Sequence, residues 1–411
     1  MPNDSTLKNR TIFKYPTLSP LWIAVFIDII GFSMILPMGP FIADQFGISI
    51  FLMGLVLSVN AIFSFFFGPI LGKLSDKFGR KRLLLISQFG TFLGFLILAF
   101  SGSIWMVIVS RIVDGIFGGN FPIAKAIIGD EVPPKDRGIQ MANIGVAFVL
   151  GALIGPGIGG ILFSLGGIFL PGLFASGLSV ITMIVTIIIL EETWPKSKRQ
   201  IPHEIKAKVI IKIRKNKKAR FYLTLWGFHT ASFMITMTSF SFFAKEIFGV
   251  RAFEIGILMT IAGVLRAIVR FTLFKPTIRR LGEENAIKLG LGIFFVSFLI
   301  IGFSINIIML FTMILFISFA ASLTRGPLNS KISQSVTPKE QGKINGLSSG
   351  LDSFAQIIGP PTGTLMIDFF PPYYLSFIIT PLALIPFLMS LKASDLKKNT
   401  NSHQVEIETK E

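Results

Sequence analysis

Cysteine is absent from the 411 residues, which excludes disulfides and thiolate chemistry and leaves the redox compartment open. Histidine occurs three times, too few for a multi-histidine metal centre, so neither a metal nor a cofactor is expected. Charge is also scarce: 15% of residues are charged, against about 25% in an average soluble domain. No HExxH string is present, so an intramembrane enzyme has no evident thiol or zinc centre to work with. Acids are the rarer sign, 22 against 39 Lys and Arg, for a net charge of +17. That excess does not make a nucleic-acid binder. The cations gather in clusters between long apolar runs, as in cytoplasmic loops, and not along one binding face.

What remains is apolar. Hydrophobic residues make up 52% of the chain, 43 of them Phe, and the mean hydropathy is +0.71. A chain of this length cannot bury so much apolar surface and still keep a polar shell. A helix needs about 20 apolar residues to cross about 30 Å of hydrocarbon. Apolar runs and their breaks predict an all-α membrane protein with twelve spans: 20–43, 50–72, 83–101, 103–126, 138–163 and 169–190, then 220–245, 254–276, 287–305, 306–328, 342–365 and 371–391. Residues 1–19 form a polar tail with no cleavable signal, because the first apolar run is too long for one. The organisation expected is a six-helix bundle over 20–190, a basic central loop over 191–219, a second six-helix bundle over 220–391 and a polar tail over 392–411. Around the central loop, Glu191–Arg220 carries eleven Lys and Arg, and Ile205–Ile213 has the apolar spacing of a helix lying on the membrane surface.

Orientation follows from the cations. Lys73, Lys77, Arg80, Lys81, Arg82, Lys135, Arg137, the central cluster, Lys275, Arg279, Arg280, Lys331, Lys339 and Lys343 fall on one side, and the other side has Lys245 and Arg251. The positive-inside bias then places both termini in the cytoplasm. The two halves also repeat. PKDRG at 134–138 matches PKEQG at 338–342, Gly155-Pro156 matches Gly359-Pro360, and Gly159 matches Gly363, all at an offset of 204; Gly79 matches Gly282 at 203. Parallel repeats of this kind place a substrate near the bilayer midplane and move by rocking.

Four constellations stand out. After span 2, Gly72-Lys-Leu-Ser-Asp76-Lys-Phe-Gly79-Arg80-Lys-Arg sets one acid, Asp76, among five cations, free to cap a helix or to pair with an arginine. Span 5 has Gly151, Gly155 and Gly159 at four-residue spacing, with Pro156 and Gly160, a face on which helix backbones approach closely. Span 1 holds Asp28, its single acid, followed by Pro37 and Pro40. Span 4 holds Arg111, Asp114, Gly115 and Gly118 on one helix face. Arg111 and Asp114 are either a self-neutralising pair that eases insertion or functional groups facing a cavity.

The loop after span 2 resembles the GxLaDrxGrkxxl signature of the major facilitator superfamily, and the span-5 string resembles the gxxxGPxxGG signature of its drug–proton antiporters. The acid and prolines of span 1 and the RxxxGxxG pattern of span 4 resemble the tetracycline-resistance-like branch. The resemblance implies the major facilitator fold, alternating access, an inner-gate latch at Asp76, and no cofactor beyond a proton gradient. Two departures matter. Spans 3 and 9 have no acid where tetracycline exporters handle a metal-chelated drug, with Gly94 near the span-3 position, and the second-half stretch Lys275–Glu283 has no acid in the place of Asp76.

The expected function is proton-coupled export of a small amphipathic compound across the plasma membrane by a monomer, with Asp28 carrying the proton and Arg111 and Asp114 assisting. A proton-coupled uptake symporter for a sugar, peptide or organic acid is the alternative. A membrane receptor is disfavoured by the short outer loops. In the second half His229, Arg266, Arg270 and Asp352 are cavity candidates. Helix rise places Asp28, His229, Arg266 and Asp352 about 12–15 Å deep, so Arg266–Asp352 is expected as a buried pair. His229 is open to two readings, a hydrogen-bonded packing residue or a proton carrier. Asp130 and Glu131 are assigned to a loop.

Overall fold

A computed structural model describes residues 15–195, 216–337, 340–371 and 373–408. The surface helix expected over 205–213 and the first two residues of PKEQG lie outside the described residues. Within them the chain is all helical. The first half comprises α1 (Ser19–Met34), α2 (Gly39–Phe46), α3 (Ile50–Phe78), α4 (Arg80–Ala99), α5 (Ile104–Ile116), α6 (Asn120–Glu131), α7 (Pro134–Gly166) and α8 (Phe169–Ile189). The second comprises α9 (Lys217–Phe248), α10 (Ala252–Thr272), α11 (Phe274–Ile301), α12 (Ile307–Gln334), α13 (Gln341–Phe369) and α14 (Tyr374–Glu408). Among the described residues, nine helical stretches are long and apolar enough to cross a membrane, and α1 with α2 makes a tenth, bent by 51°.

Side-chain placement inverts the soluble pattern. Trp105, Leu165, Ile188, Ile305 and Ile308 are each at least 73% exposed, as suits a lipid-facing surface. Buried Ser58, Ser179, Thr236, Ser239 and Thr364 instead donate to carbonyls four residues back in their own helices. Such bonds satisfy each hydroxyl locally and let small residues fill the helix interfaces.

Two predicted spans are broken. The run 20–43 divides after Met34, because Pro40 sits in the first turn of α2 and starts a new helix there. The run 103–126 divides at 117–119, where the Ser87 hydroxyl inserts, donating to the Phe117 carbonyl and accepting from the Gly119 N–H. Asp130 and Glu131 are not loop residues; they close α6.

The chain forms two compact units, residues 1–204 with 250–260 and residues 205–249 with 261–411. The same local devices recur in both. Gly79 and Gly282 take φ of 103° and 76°, and Gly47 and Gly249 take φ of 61° and 63°; each pair requires glycine because an L side chain is strained there. The glycine ladders recur too. In the first unit a Cβ at Gly151 would stand 2.7 Å from the Phe26 carbonyl oxygen, and one at Gly155 would stand 2.8 Å from that of Ile30. These contacts bring α7 against α1. In the second unit a Cβ at Gly359 would meet Met234 at 3.1 Å and one at Gly363 the Ile235 carbonyl at 3.2 Å, which brings α13 against α9.

Candidate functional site

The first unit gathers its mid-span charges around α5. Arg111 Nη1 lies 3.5 Å from Asp114 Oδ2, one turn along the helix, and Arg111 Nε donates to Ser110 Oγ at 3.2 Å. The guanidinium rests 5.3 Å from the Phe95 ring centroid. Asp114 also accepts from Asn60 Nδ2 at 2.8 Å. Glycine makes this closeness possible: a Cβ at Gly115 would stand 2.7 Å from the Asn60 carbonyl oxygen, and one at Gly94 would stand 2.9 Å from Asp114 Cβ. Asp28 on α1 accepts from Asn120 Nδ2 at 2.5 Å. Asn120 is the first residue after the break in the fourth run, so that break decides where the amide points. Two buried atoms of this cluster, Arg111 Nη2 and Asn120 Oδ1, have no hydrogen-bond partner.

A second cluster is built on Arg80, at the start of α4. Its guanidinium pairs with Asp76 Oδ1 at 2.6 Å and with Asp130 Oδ2 at 2.8 Å, and its Nη1 donates to Ser75 Oγ at 2.5 Å. The Arg80 backbone N–H donates to Glu192 Oε1 at 2.8 Å, and the same oxygen accepts from the Trp194 N–H at 3.0 Å. The Trp194 ring covers the guanidinium at 5.3 Å. Asp76 therefore pairs with an arginine, and Asp130 shares that arginine. Gly79, whose positive φ redirects the backbone between α3 and α4, carries Arg80 into the cluster, and Gly72 lies near the end of α3. In the second unit Lys331 lies 3.5 Å from Glu283 and 3.6 Å from Glu284, just after the matching Gly282.

On α7, Gly151, Gly155 and Gly159 face α1, and Gly160 faces the other way. A Cβ at Gly160 would stand 3.1 Å from Gly256 Cα, a residue of the same unit. Pro156 lies inside the helix between the two faces.

The second unit corrects one expected pair. Asp352 accepts from Thr230 Oγ1 at 3.1 Å and pairs with Arg325 at 3.4 Å, and not with Arg266. Arg266 instead donates from Nη2 to Ser318 Oγ at 3.1 Å and to Met237 Sδ at 3.9 Å, with its guanidinium over Phe233. The helix-rise estimate placed Arg266 and Asp352 at one depth but carried no information on which way each side chain turns. His229 is 2% exposed and sits edge-on to Phe294, with ring centroids 4.8 Å apart; its Nδ1 has no partner. One string that sequence reading passed over, Gly346-Leu347-Ser348-Ser349-Gly350, has the GxSxG spacing. It lies within α13, where Ser348 donates to the Ile344 carbonyl, so it forms no nucleophile elbow.

The family model of the Major Facilitator Superfamily matches residues 21–347 and, in a second match, 245–409. The chain belongs to the Major Facilitator Superfamily. It is 27% identical to a tetracycline resistance protein, class H, of Pasteurella multocida, over 81% of this chain and 84% of that one. It is also 27% identical to multidrug resistance protein 1 of Bacillus subtilis (strain 168), over 94% and 99% of the two chains. The crystal structure of the nucleoside transporter NupG superposes with a TM-score of 0.74 at 13% identity, covering 91% of this chain and 99% of that one, which establishes the fold. The protein is a multi-pass membrane transporter and not an enzyme.

Three residues of this superfamily member escaped sequence reading. Asn60 and Asn120 are uncharged, so nothing in composition marks them among apolar neighbours. Arg325 lay near the expected inner end of span 10, where a cation normally reaches for water. The structure continues α12 to Gln334, nine residues further.

Proposed function

We propose that the protein exports small amphipathic organic compounds in exchange for protons, by alternating access, with Asp28 as the proton carrier. The observation that carries the reading is the half-buried, amide-held carboxylate of Asp28, in the same unit as the Asp114–Arg111 pair. A carboxylate at this depth costs several kcal/mol to insert and is retained where its charge state is used. The relatives' names, tetracycline resistance and multidrug resistance, support export of organic compounds. A tetracycline–metal chelate fits less well, because Gly94 stands against Asp114 where a span-3 acid would be needed.

In this reading the membrane is crossed twelve times. The bent α1–α2 pair counts once, and α9 and α13, 32 and 29 residues long, join the ten apolar spans. Both termini face the cytoplasm, residues 20–190 and 220–391 are the two bundles, and 191–219 is a basic inner loop. Asp76 and Arg80 latch the inner gate, and the glycines and Pro156 of α7 hold the helix packing that antiport requires. One chain carries both repeats, so a monomer completes the cycle.

The test is flux into proteoliposomes under an imposed pH gradient, with a panel of dyes, drugs and metabolites. Movement opposite to the protons is expected. Movement with them establishes the uptake symporter, and no gradient-dependent flux for any compound overturns secondary transport.

A further inference from the structure

In the second unit, α9 presents Trp226, His229, Thr230, Phe233 and Met237 as one stripe, at the three- and four-residue spacing of a single helix face. Two guanidiniums lie against it. Arg325 covers Trp226 at 5.3 Å and Arg266 covers Phe233 at 5.5 Å. The two arginines come from α12 and α10, and Ser318, which holds Arg266, lies seven residues from Arg325 on α12. That is about 10 Å by helix rise.

The charges do not balance. Asp352 is spoken for by Arg325 and Thr230. Arg266 has no carboxylate partner among the described residues; of its three nitrogens, Nη2 alone is bonded, and Nε is buried and unbonded. His229 adds no acid. A guanidinium inside a membrane span costs at least about 2.5–3.5 kcal/mol on insertion scales. An unmet buried donor adds about 1–3 kcal/mol more. With the guanidinium over Phe233 and Nε unbonded, N–H groups remain of the kind that fork onto a carboxylate. Among the described residues, none supplies an acceptor for them.

We propose that Arg266, with Arg325 beside it, recognises an anionic group, a carboxylate or sulfonate, on the transported compound, so that the substrate class is amphipathic organic anions. The inference rests on the export reading for its direction, though not for the binding itself. Arg266 supplies the fork, Ser318 fixes its rotamer, and Arg325 contributes long-range attraction while holding Asp352.

Binding and flux separate the two claims. Full-length protein in detergent is titrated with naphthyl, dansyl and coumarin frames, each as a carboxylate, its neutral amide and a cationic amine. The carboxylates are expected to bind at least tenfold more tightly than their amides, a preference lost in Arg266→Gln and partly kept in Arg266→Lys, whose charge remains but whose fork is gone. Melting temperature is read for both variants; should Arg266→Gln not fold, a preference reduced but still present in Arg266→Lys carries the test, and an undiminished one overturns the inference. Equal binding of the three forms, or binding of none, overturns the inference. So does stabilisation by sodium chloride that needs Arg266 without any carboxylate preference, which makes the site one for inorganic anions. Carboxylate preference without proton-driven flux in proteoliposomes leaves the anion site standing and sinks export instead.

Discussion

Asp28 and Asp114 are both carboxylates inside the first unit, yet their surroundings divide the work. Asp114 is held by Arg111, Asn60 and Thr91, whereas Asp28 is held by a single amide. In the proposed exchange, the more loosely held acid is the one assigned to gain and lose a proton as its surroundings alternate. Asp28→Asn should abolish uphill, gradient-driven accumulation while leaving substrate counterflow, which moves no net proton. Persistent uphill pumping by this variant would shift the assignment to Asp114. Asn120→Leu should reduce pumping by roughly tenfold, the worth of one charge-assisted hydrogen bond, again with counterflow retained. The charged members of this cluster were legible in the sequence because a charge inside an apolar run is costly and therefore conspicuous. Their amide partners were not, since Asn60 and Asn120 stand 54 and 92 residues from the acids they hold, and only folding brings them near. Arg325 stayed hidden for a different reason: sequence marks where apolarity ends, and helix α12 runs on past that point.

Helices were read well where glycine sets the geometry. The ladder on α7 was visible from spacing alone, and it packs against α1 with almost no clearance. Gly155→Leu would drive a side chain into the Ile30 carbonyl and Ser33, an overpacking strain of about 1–3 kcal/mol or more. Loss of transport with a lowered melting temperature is expected, and full activity at wild-type stability would contradict the packing. Breaks were harder to read. The division at 117–119 depends on a serine from another helix, a contact that no pattern within the run discloses. The N-terminus of α4 shows the same dependence on distant chain. Glu192, 112 residues from Arg80, accepts the Arg80 N–H in the way a capping residue would. Glu192→Ala should lower stability by about 1 kcal/mol, read as a drop in melting temperature of the purified full-length protein, with Asp130 still pairing Arg80. An unchanged melting temperature would show that the cap contributes nothing.

At the scale of the whole molecule, the repeat was legible as recurring words, PKDRG with PKEQG and the Gly-Pro pairs, and the structure adds recurring backbone at Gly47 with Gly249 and Gly79 with Gly282. What the words did not disclose is that the charge clusters of the two units, among the described residues, differ in the sign of their surplus. Asp28 and Asp114 outnumber Arg111 in the first, and Arg266 and Arg325 outnumber Asp352 in the second.

That imbalance has an electrical consequence. If a monoanion leaves as one proton enters, each cycle carries two positive charges inward; a neutral compound carries one, and a monocation none. A potential of 100 mV, negative inside, then contributes about 4.6 kcal/mol to each turn for an anion, enough for a concentration ratio of roughly 10³ with no pH difference at all. Vesicles clamped with potassium and valinomycin should therefore extrude an amphipathic carboxylate on voltage alone, its amide less steeply, and the matched amine not at all. Movement of the carboxylate no steeper with voltage than that of its amide would mean that its charge is cancelled before it crosses. The resting membrane itself, and not acidity outside the cell, would then be the main engine of this transporter.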